Sequence, residues 1–187
     1  MNKNKNFAAW FDSEVLSLAQ GIKLLALDVD GVLSDGKIYL SNNGEELKSF
    51  NITDGLGIKL LQNHGIEVAI ITGRQSNIVQ HRANELSIRH IIQGREDKLI
   101  ALDELLSITG KTKEQTAYMG DDLPDISAIE NVKLGATVAN ANTEVKAIAD
   151  WISKKDGGDG AVRELAELIL YANDLYYKSI DSFRSKN

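Results

Sequence analysis

The sequence predicts an α/β protein, a doubly wound three-layer α/β/α sandwich around a parallel central sheet, with a β-hairpin projecting from it. Three observations carry that prediction. Aliphatic runs such as Leu24-Leu25-Ala26-Leu27 and Val68-Ala69-Ile70-Ile71 have the near-continuous apolar character of strands buried on both faces. Helix-patterned segments of about ten residues alternate with these runs, as βαβ units require. Ser41-Asn42-Asn43-Gly44 separates two β-prone stretches and signals a hairpin. Right-handed crossovers then distribute the helices over both faces of the sheet.

Taken in order, Asp12 to Gln20 carries Val15, Leu16 and Leu18 ahead of Gly21, which predicts a leading helix with a glycine stop. Lys23 to Val29 is the first strand, and Gly36 to Leu40 and Glu45 to Asn51 are the hairpin arms. Gly57 to His64 spaces Ile58, Leu60 and Leu61 as a helix does, and Ile66 to Thr72 is a second buried strand. Ser76 is expected to cap a helix running to about Leu86, followed by a strand over Ile88 to Gln93 and a helix over Asp97 to Ile108. Thr116 to Met119 is a strand leading into Gly120-Asp121-Asp122-Leu123-Pro124-Asp125, where Pro124 suits a first helical turn. Ala136 to Ala139, Thr143 to Ala149 and Trp151-Ile152 read as strand, helix and strand. Gly160 to about Ser179 reads as one closing helix, and the glycine-rich run from Lys154 to Gly160 as a flexible loop. The expected organisation is a leading extension over residues 1–21, a catalytic domain over 22–170 and a helix end with tail over 171–187.

With 187 residues, 43% of them hydrophobic, the chain suffices for one well-cored domain. A formal charge of −6 without a Lys/Arg stripe speaks against a nucleic-acid partner held by phosphate neutralisation. There is no cysteine, so disulfides and thiolate metal sites are excluded and any ligands are oxygen or nitrogen. No apolar run approaches the roughly 20 residues of a membrane span. Six Asn/Lys-rich residues followed by Phe7-Ala8-Ala9-Trp10-Phe11-Asp12 are too short a core for a secretory signal, so a cytoplasmic location without a membrane partner is expected.

Asp28-Val29-Asp30-Gly31 follows the first strand, at the edge of an open α/β sheet where ligands bind. Carboxylates about 4 Å apart repel by roughly 4 kcal/mol at an effective dielectric near 20. Such a pair calls for a shared proton or a cation, and Mg²⁺ is the one expected. Thr72-Gly73-Arg74, Lys98 and Asp121-Asp122 also fall at strand ends or a helix start, so the topology should bring them to the same edge.

In this order, Asp28-Val29-Asp30-Gly31-Val32, Thr72, Lys98 and Gly120-Asp121-Asp122 with Asp125 resemble the signature of the haloacid dehalogenase superfamily. That resemblance implies a Rossmann-like fold in which Asp28 is the nucleophile and Asp30 the general acid and later the base. It further implies that Thr72 binds a phosphoryl oxygen while Lys98 neutralises phosphate and nucleophile together. Mg²⁺ would be held by the Asp28 side chain, the Asp30 backbone carbonyl and Asp121, with Asp122 and Asp125 tuning the ion's surroundings or Lys98.

Only the hairpin and one helix fit between Gly31 and Ile71, and only a helix and a short strand between Gly73 and Asp97, so no cap domain is expected. This uncapped plan, with Ser49-Phe50-Asn51-Ile52-Thr53-Asp54-Gly55-Leu56-Gly57-Ile58-Lys59, Thr72-Gly73-Arg74 and Gly158-Asp159-Gly160-Ala161-Val162-Arg163-Glu164, resembles the 3-deoxy-D-manno-octulosonate 8-phosphate phosphatase family from about Ile22 to Ile169. The resemblance implies a Mg²⁺-dependent homotetramer, joined through its hairpins, that dephosphorylates an eight-carbon acidic sugar on the route to lipopolysaccharide. Substrate contacts carried over are Asp30, Asn51, Ile52, Thr53, Asp54, Gly55, Lys59, Arg74, Arg82 and Lys98. An arginine fork suits the sugar's carboxylate, and Arg74 and Arg82, if both helical, would share a face.

Three rival readings stand beside this one. A nine-carbon ulosonic acid 9-phosphate is the nearest, for which Glu is expected after Thr-Gly where this chain has Arg74. Intact Asp28, Asp30, Lys98 and Asp121 speak against a non-catalytic regulator, and the missing cap against a phosphomutase.

Overall fold

The computed structural model describes residues 11–184; the Asn/Lys-rich leader through Trp10 and the last three residues of the tail lie outside them. The strands are β1 (Leu24–Leu27), β2 (Tyr39–Leu40), β3 (Glu46–Leu47), β4 (Glu67–Thr72), β5 (His90–Gln93), β6 (Thr116–Met119), β7 (Leu134–Thr137) and β8 (Trp151–Ile152). The helices are α1 (Ser13–Ala19), α2 (Ile52–Asn63), α3 (Asn77–Glu85), α4 (Lys98–Thr109), α5 (Ile126–Ile129), α6 (Thr143–Ile148), α7 (Ala161–Ala172) and α8 (Tyr176–Arg184).

Six of the strands form one parallel sheet in the order β5-β4-β1-β6-β7-β8, while β2 and β3 pair antiparallel as the hairpin. Side-chain alternation explains the three layers. Leu25 and Leu27 of β1, Val68 and Ile70 of β4, and Ala117 and Met119 of β6 pack with α1, α2, α3 and α7. Leu24 and Ala26, Ala69 and Ile71, and Tyr118 point the other way, into α4, α5 and α6. Both faces are therefore covered, as an all-parallel sheet requires. The chain runs from β1 outward to β4 and β5 and returns to the far side of β1 at β6. The reversal opens a crevice beyond the carboxyl end of β1. No cap interrupts this plan: β1 and β4 are separated by the hairpin and α2, and β4 and β5 by α3 alone.

Several local expectations are corrected. Helix α2 starts at Ile52, not Gly57, because the Asn51 side chain accepts from Thr53 N and caps it. Gly55 and Gly57 lower helix propensity and hid that first turn, yet α7 crosses so close that a Cβ at Gly57 would lie 3.1 Å from Arg163 Cα. Ser76 stands at the N-cap of α3 without a side-chain hydrogen bond. Strand β7 begins at Leu134 instead of Ala136, and the short α5 was not foreseen.

The predicted closing helix is two helices. Continuous apolar spacing through Tyr176 concealed the break, which Asn173 and Asp174 create: Asp174 adopts a left-handed φ of +58°. Asn173 donates to the Ala19 and Ile169 carbonyls at 3.0 and 2.8 Å and accepts from Gly21 N at 2.9 Å, tying α7 to the end of α1.

The glycine-rich run is likewise docked where a flexible loop was expected. Gly158 N donates to Val32 O at 2.9 Å and Gly157 N to Asn140 Oδ1 at 2.9 Å. A Cβ on Gly157 would stand 1.7 Å from the Gly31 carbonyl oxygen, so the absent side chain permits contact with the loop that follows β1.

Asn173→Ala removes two hydrogen bonds between the two ends of the fold and one within α7. It is expected to cost about 2 kcal/mol and to lower the midpoint in scanning calorimetry by about 4–8 °C; an unchanged midpoint would show that the tie contributes nothing.

Candidate active site

The loop after β1 sets the geometry. Asp28 N bonds to Met119 O at 3.0 Å, and the Val29 carbonyl accepts from the amides of Val32, Leu33 and Ser34, a tight turn that presents Asp28 and Asp30. Gly31 has φ +92°, and a Cβ there would lie 2.1 Å from Asp121 Oδ2. Only glycine lets the loops after β1 and β6 come so close.

Lys98, at the first position of α4, reaches inward with 3% of its side chain exposed. Its Nζ donates to Asp28 Oδ1 at 2.7 Å, Asp125 Oδ1 at 3.0 Å and Ile71 O at 3.0 Å. The Tyr118 hydroxyl donates to the same Asp125 oxygen at 2.8 Å. Asp125 Oδ2 accepts from the amides of Asp121 and Asp122 at 3.1 and 3.3 Å. Thr72 ends β4 next to Ile71 and is buried. Asp28, Thr72, Lys98, Asp121 and Asp125 thus share one edge of the sheet.

Carboxylate oxygens of Asp28, Asp121 and Asp125 lie within 4.8 Å of one another. Burial lifts Asp28 to about 6, the Asp125 charge adding to the rise and Lys98 opposing it. Burial and the Asp28 charge lift Asp121 to about 7. Burial alone would lower Lys98, but the facing Asp28 and Asp125 carboxylates overcome it and raise its pKa. Three carboxylates around one ammonium leave uncompensated negative charge, in an all-oxygen setting that suits a hard divalent cation. Both Asp125 oxygens are already engaged by two donors each, so Asp28 and Asp121 are the carboxylates best fitted to hold Mg²⁺.

The remaining candidates divide. Asp30 lies beside Arg74, whose Nε is 3.9 Å from Oδ2 and whose Nη2 donates to Glu46 of β3 at 2.9 Å. Asp122 does not reach Lys98: it is exposed and accepts from Asn142 at 3.3 Å, leaving the hold on Lys98 to Asp125. Asn51 and Thr53 are bonded to each other, Ile52 is 83% exposed, and Asp54 turns toward α7, accepting from Arg163 N at 2.8 Å. Gly55 makes room for Arg82, whose nearest guanidinium nitrogen would lie 2.6 Å from an added Cβ. Arg82 itself covers the Phe50 ring and bonds to Asn51 O and Glu85. Arg74 precedes α3, so the two arginines share no helical face. Lys59 points away from the acids, donating to Ser87 at 3.0 Å. Phe50, just beyond the hairpin, packs against the core.

Three participants escaped the sequence reading: Tyr118, Glu46 and Lys48, the last paired with Asp30 and Glu46. Tyr118 looked like one more apolar strand residue. Glu46 and Lys48 flank Leu47 with the two-residue alternation of a strand, a signal that one face of the hairpin is charged. A groove of about 450 Å³ lies near the starts of β4 and β5, lined among others by Gln62, Glu67, Arg89 and His90, at the edge opposite the acids.

A doubly wound sheet gathering these acids, a buried lysine and a strand-end threonine is the arrangement of a haloacid dehalogenase-like hydrolase, and the family model of that description matches residues 88–165. The 3-deoxy-D-manno-octulosonate 8-phosphate phosphatase of Escherichia coli (strain K12) is 49% identical over 160 residues, covering 86% of this chain and 85% of its own. The corresponding Yersinia pestis protein is 48% identical over 161 residues, 86% of each chain. A crystal structure of the Moraxella catarrhalis phosphatase with magnesium, phosphate and 3-deoxy-D-manno-octulosonate (KDO) superposes with a TM-score of 0.91 at 47% identity, covering 92% of this chain and 99% of that one. The cobalt-bound Haemophilus influenzae enzyme superposes with a TM-score of 0.85 at 38% identity, covering 90% and 99%. The chain belongs to the family of 3-deoxy-D-manno-octulosonate 8-phosphate phosphatases.

Asp54 gives a test separable from the chemistry. It is 1% exposed, its Oδ2 lacks a hydrogen bond among the described residues, and burial raises its pKa from 3.8 to about 6. Below the unfolded value near 3.9 both states hold the proton and no penalty exists. Between there and about pH 6 the folded carboxyl retains a proton that the unfolded one releases, so stability falls as pH rises; the penalty is complete above that. Asp54→Asn is therefore expected to unfold in urea at about 1–3 kcal/mol higher stability than the parent at pH 8, with the difference vanishing by about pH 3.

Proposed function

We propose that the protein is a Mg²⁺-dependent phosphatase that converts 3-deoxy-D-manno-octulosonate 8-phosphate to the free eight-carbon sugar acid and inorganic phosphate. The carrying observation is Asp28, bonded to buried Lys98 within an acidic cluster, in a chain 47% identical to an enzyme crystallised with magnesium, phosphate and KDO.

In this reading an Asp28 oxygen forms a bond to phosphorus as the bond from phosphorus to the sugar oxygen breaks. Asp30 delivers a proton to the departing oxygen. The Asp30 carboxylate then takes a proton from water, whose oxygen bonds to phosphorus while the Asp28 ester bond breaks, releasing phosphate. A carboxylate nucleophile divides one slow displacement into two faster ones. Lys98 holds Asp28 in place and offsets charge as phosphate approaches, and Thr72 with adjacent amides binds a phosphoryl oxygen. Bound by Asp28, Asp121 and the Asp30 carbonyl, Mg²⁺ supplies further neutralisation of the phosphoryl oxygens. Arg74 is assigned to the sugar's carboxylate, which its planar fork fits.

The same reading includes a homotetramer assembled through the hairpins. Supporting it, Ile38, Leu40 and Leu47 are exposed on an arm that carries charge on its other side. Strand arms with such apolar surfaces seek another chain.

Phosphate release from the eight-carbon ester and from a nine-carbon ulosonic acid 9-phosphate, assayed in parallel, is expected to favour the first; preference for the second would transfer the assignment to that substrate. Excess chelator is expected to abolish turnover and added Mg²⁺ to restore it. Asp28→Asn should reduce kcat below about one ten-thousandth of the parent value with an unchanged circular dichroism spectrum. Near-normal turnover by that variant would show that another group attacks phosphorus.

A further inference from the structure

The hairpin reverses the usual partition of a surface strand: Leu47 is 61% exposed, whereas the Lys48 side chain next to it is 1% exposed. A lysine so deeply covered loses several kcal/mol of hydration unless its ammonium is paired. Lys48 is paired with Asp30 Oδ1, and Glu46 Oε1 lies 3.4 Å from the same ammonium. Glu46 Oε1 also accepts from Arg74 at 2.9 Å, so one carboxylate spaces two cations.

The consequence falls on the two oxygens of Asp30. Oδ1 accepts from Lys48 and, at 3.4 Å, from the Ser34 hydroxyl. Oδ2 faces Arg74 Nε at 3.9 Å, beyond hydrogen-bonding distance. We propose that Lys48 is a positioning residue that occupies Oδ1 of Asp30 and thereby leaves Oδ2 as the oxygen that exchanges the proton. On this assignment, which rests on the phosphatase reading above, Oδ2 gives its proton to the ester oxygen as that oxygen leaves phosphorus, and takes one from water in the second half-reaction. Glu46 is the anchor that keeps Lys48 and Arg74 at fixed separation, so the hairpin is part of the proton-transfer geometry of its own site.

The test compares two esters on the Mg²⁺-loaded enzyme. The sugar phosphate has an alkoxide leaving group that needs a proton, whereas 4-nitrophenyl phosphate releases a phenolate that does not. Lys48→Met is expected to lower kcat/KM, which reports the half-reaction that expels the leaving group, by about 100-fold on the sugar ester and by less than about 5-fold on 4-nitrophenyl phosphate, since general-acid transfer contributes 10²–10⁴-fold. Lys48→Arg should recover most of the loss in kcat/KM on the sugar ester. In an Asp30→Asn background, Lys48→Met should cost less than a further factor of about 2, because the two groups act as one. Equal losses on both esters, or full additivity with Asp30→Asn, would overturn the proposal. If Lys48→Met fails to fold, Lys48→Ala, which also removes the donor, provides the same comparison. A parent enzyme inert toward both esters would instead overturn the phosphatase reading, and this proposal with it.

Discussion

Lys98 carries its ammonium group into the protein interior from the start of α4, and the needs of that group constrain the catalytic edge. Removed from water, an ammonium costs several kcal/mol unless every N–H finds an acceptor and the charge a counter-ion. Its acceptors are Asp28 beyond β1, the Ile71 carbonyl of β4 and Asp125 beyond β6. Three strands that are neighbours in the sheet, but far apart in the chain, must therefore end within about 3 Å of one nitrogen. The β4-β1-β6 pairing brings their carboxyl ends level, and Tyr118 braces the arrangement from below through Asp125.

A single ammonium cannot balance the acids around it, and this explains why the edge is prepared for a cation and an anion together. Oxygens of buried Asp28 and half-buried Asp121 suit a divalent ion, and such an ion would make the edge hospitable to phosphate. The hairpin contributes the opposite kind of balance. Its inward residues Glu46 and Lys48 form an alternating chain of charge with Asp30 and Arg74, so no member of the set faces solvent or core without a partner.

Much of this was legible in the amino-acid order. Strands β1 and β4 carry the continuous apolar runs Leu24 to Leu27 and Val68 to Ile71, and β6 was read to its limits between Gln115 and Gly120. Asp28, Lys98 and Asp121 were readable because a parallel sheet delivers strand ends to one place without further information. What escaped depended on partners distant in sequence. Nothing near Asp122 or Asp125 says which of them turns inward; that choice follows from the turn of 3-10 helix at Leu123–Asp125. Arg82 and Lys59 looked like ligands for an anion, yet the nearest oxygens are those of Asn51, Glu85 and Ser87. Glycines at 55, 57 and 157 resembled breakers and served close packing, a distinction that only the opposing surface makes.

The seating of Gly157 and Gly158 beneath the loop after β1 has a consequence for how the molecule comes into being. Asp28 and the platform on which its loop rests are about 130 positions apart along the chain. The central strand likewise waits for β4 and β6 to flank it, pairings separated by roughly 40 and 90 positions along the chain. The loop that carries Asp28 is thus settled only when stretches from widely separated parts of the chain have come together around it.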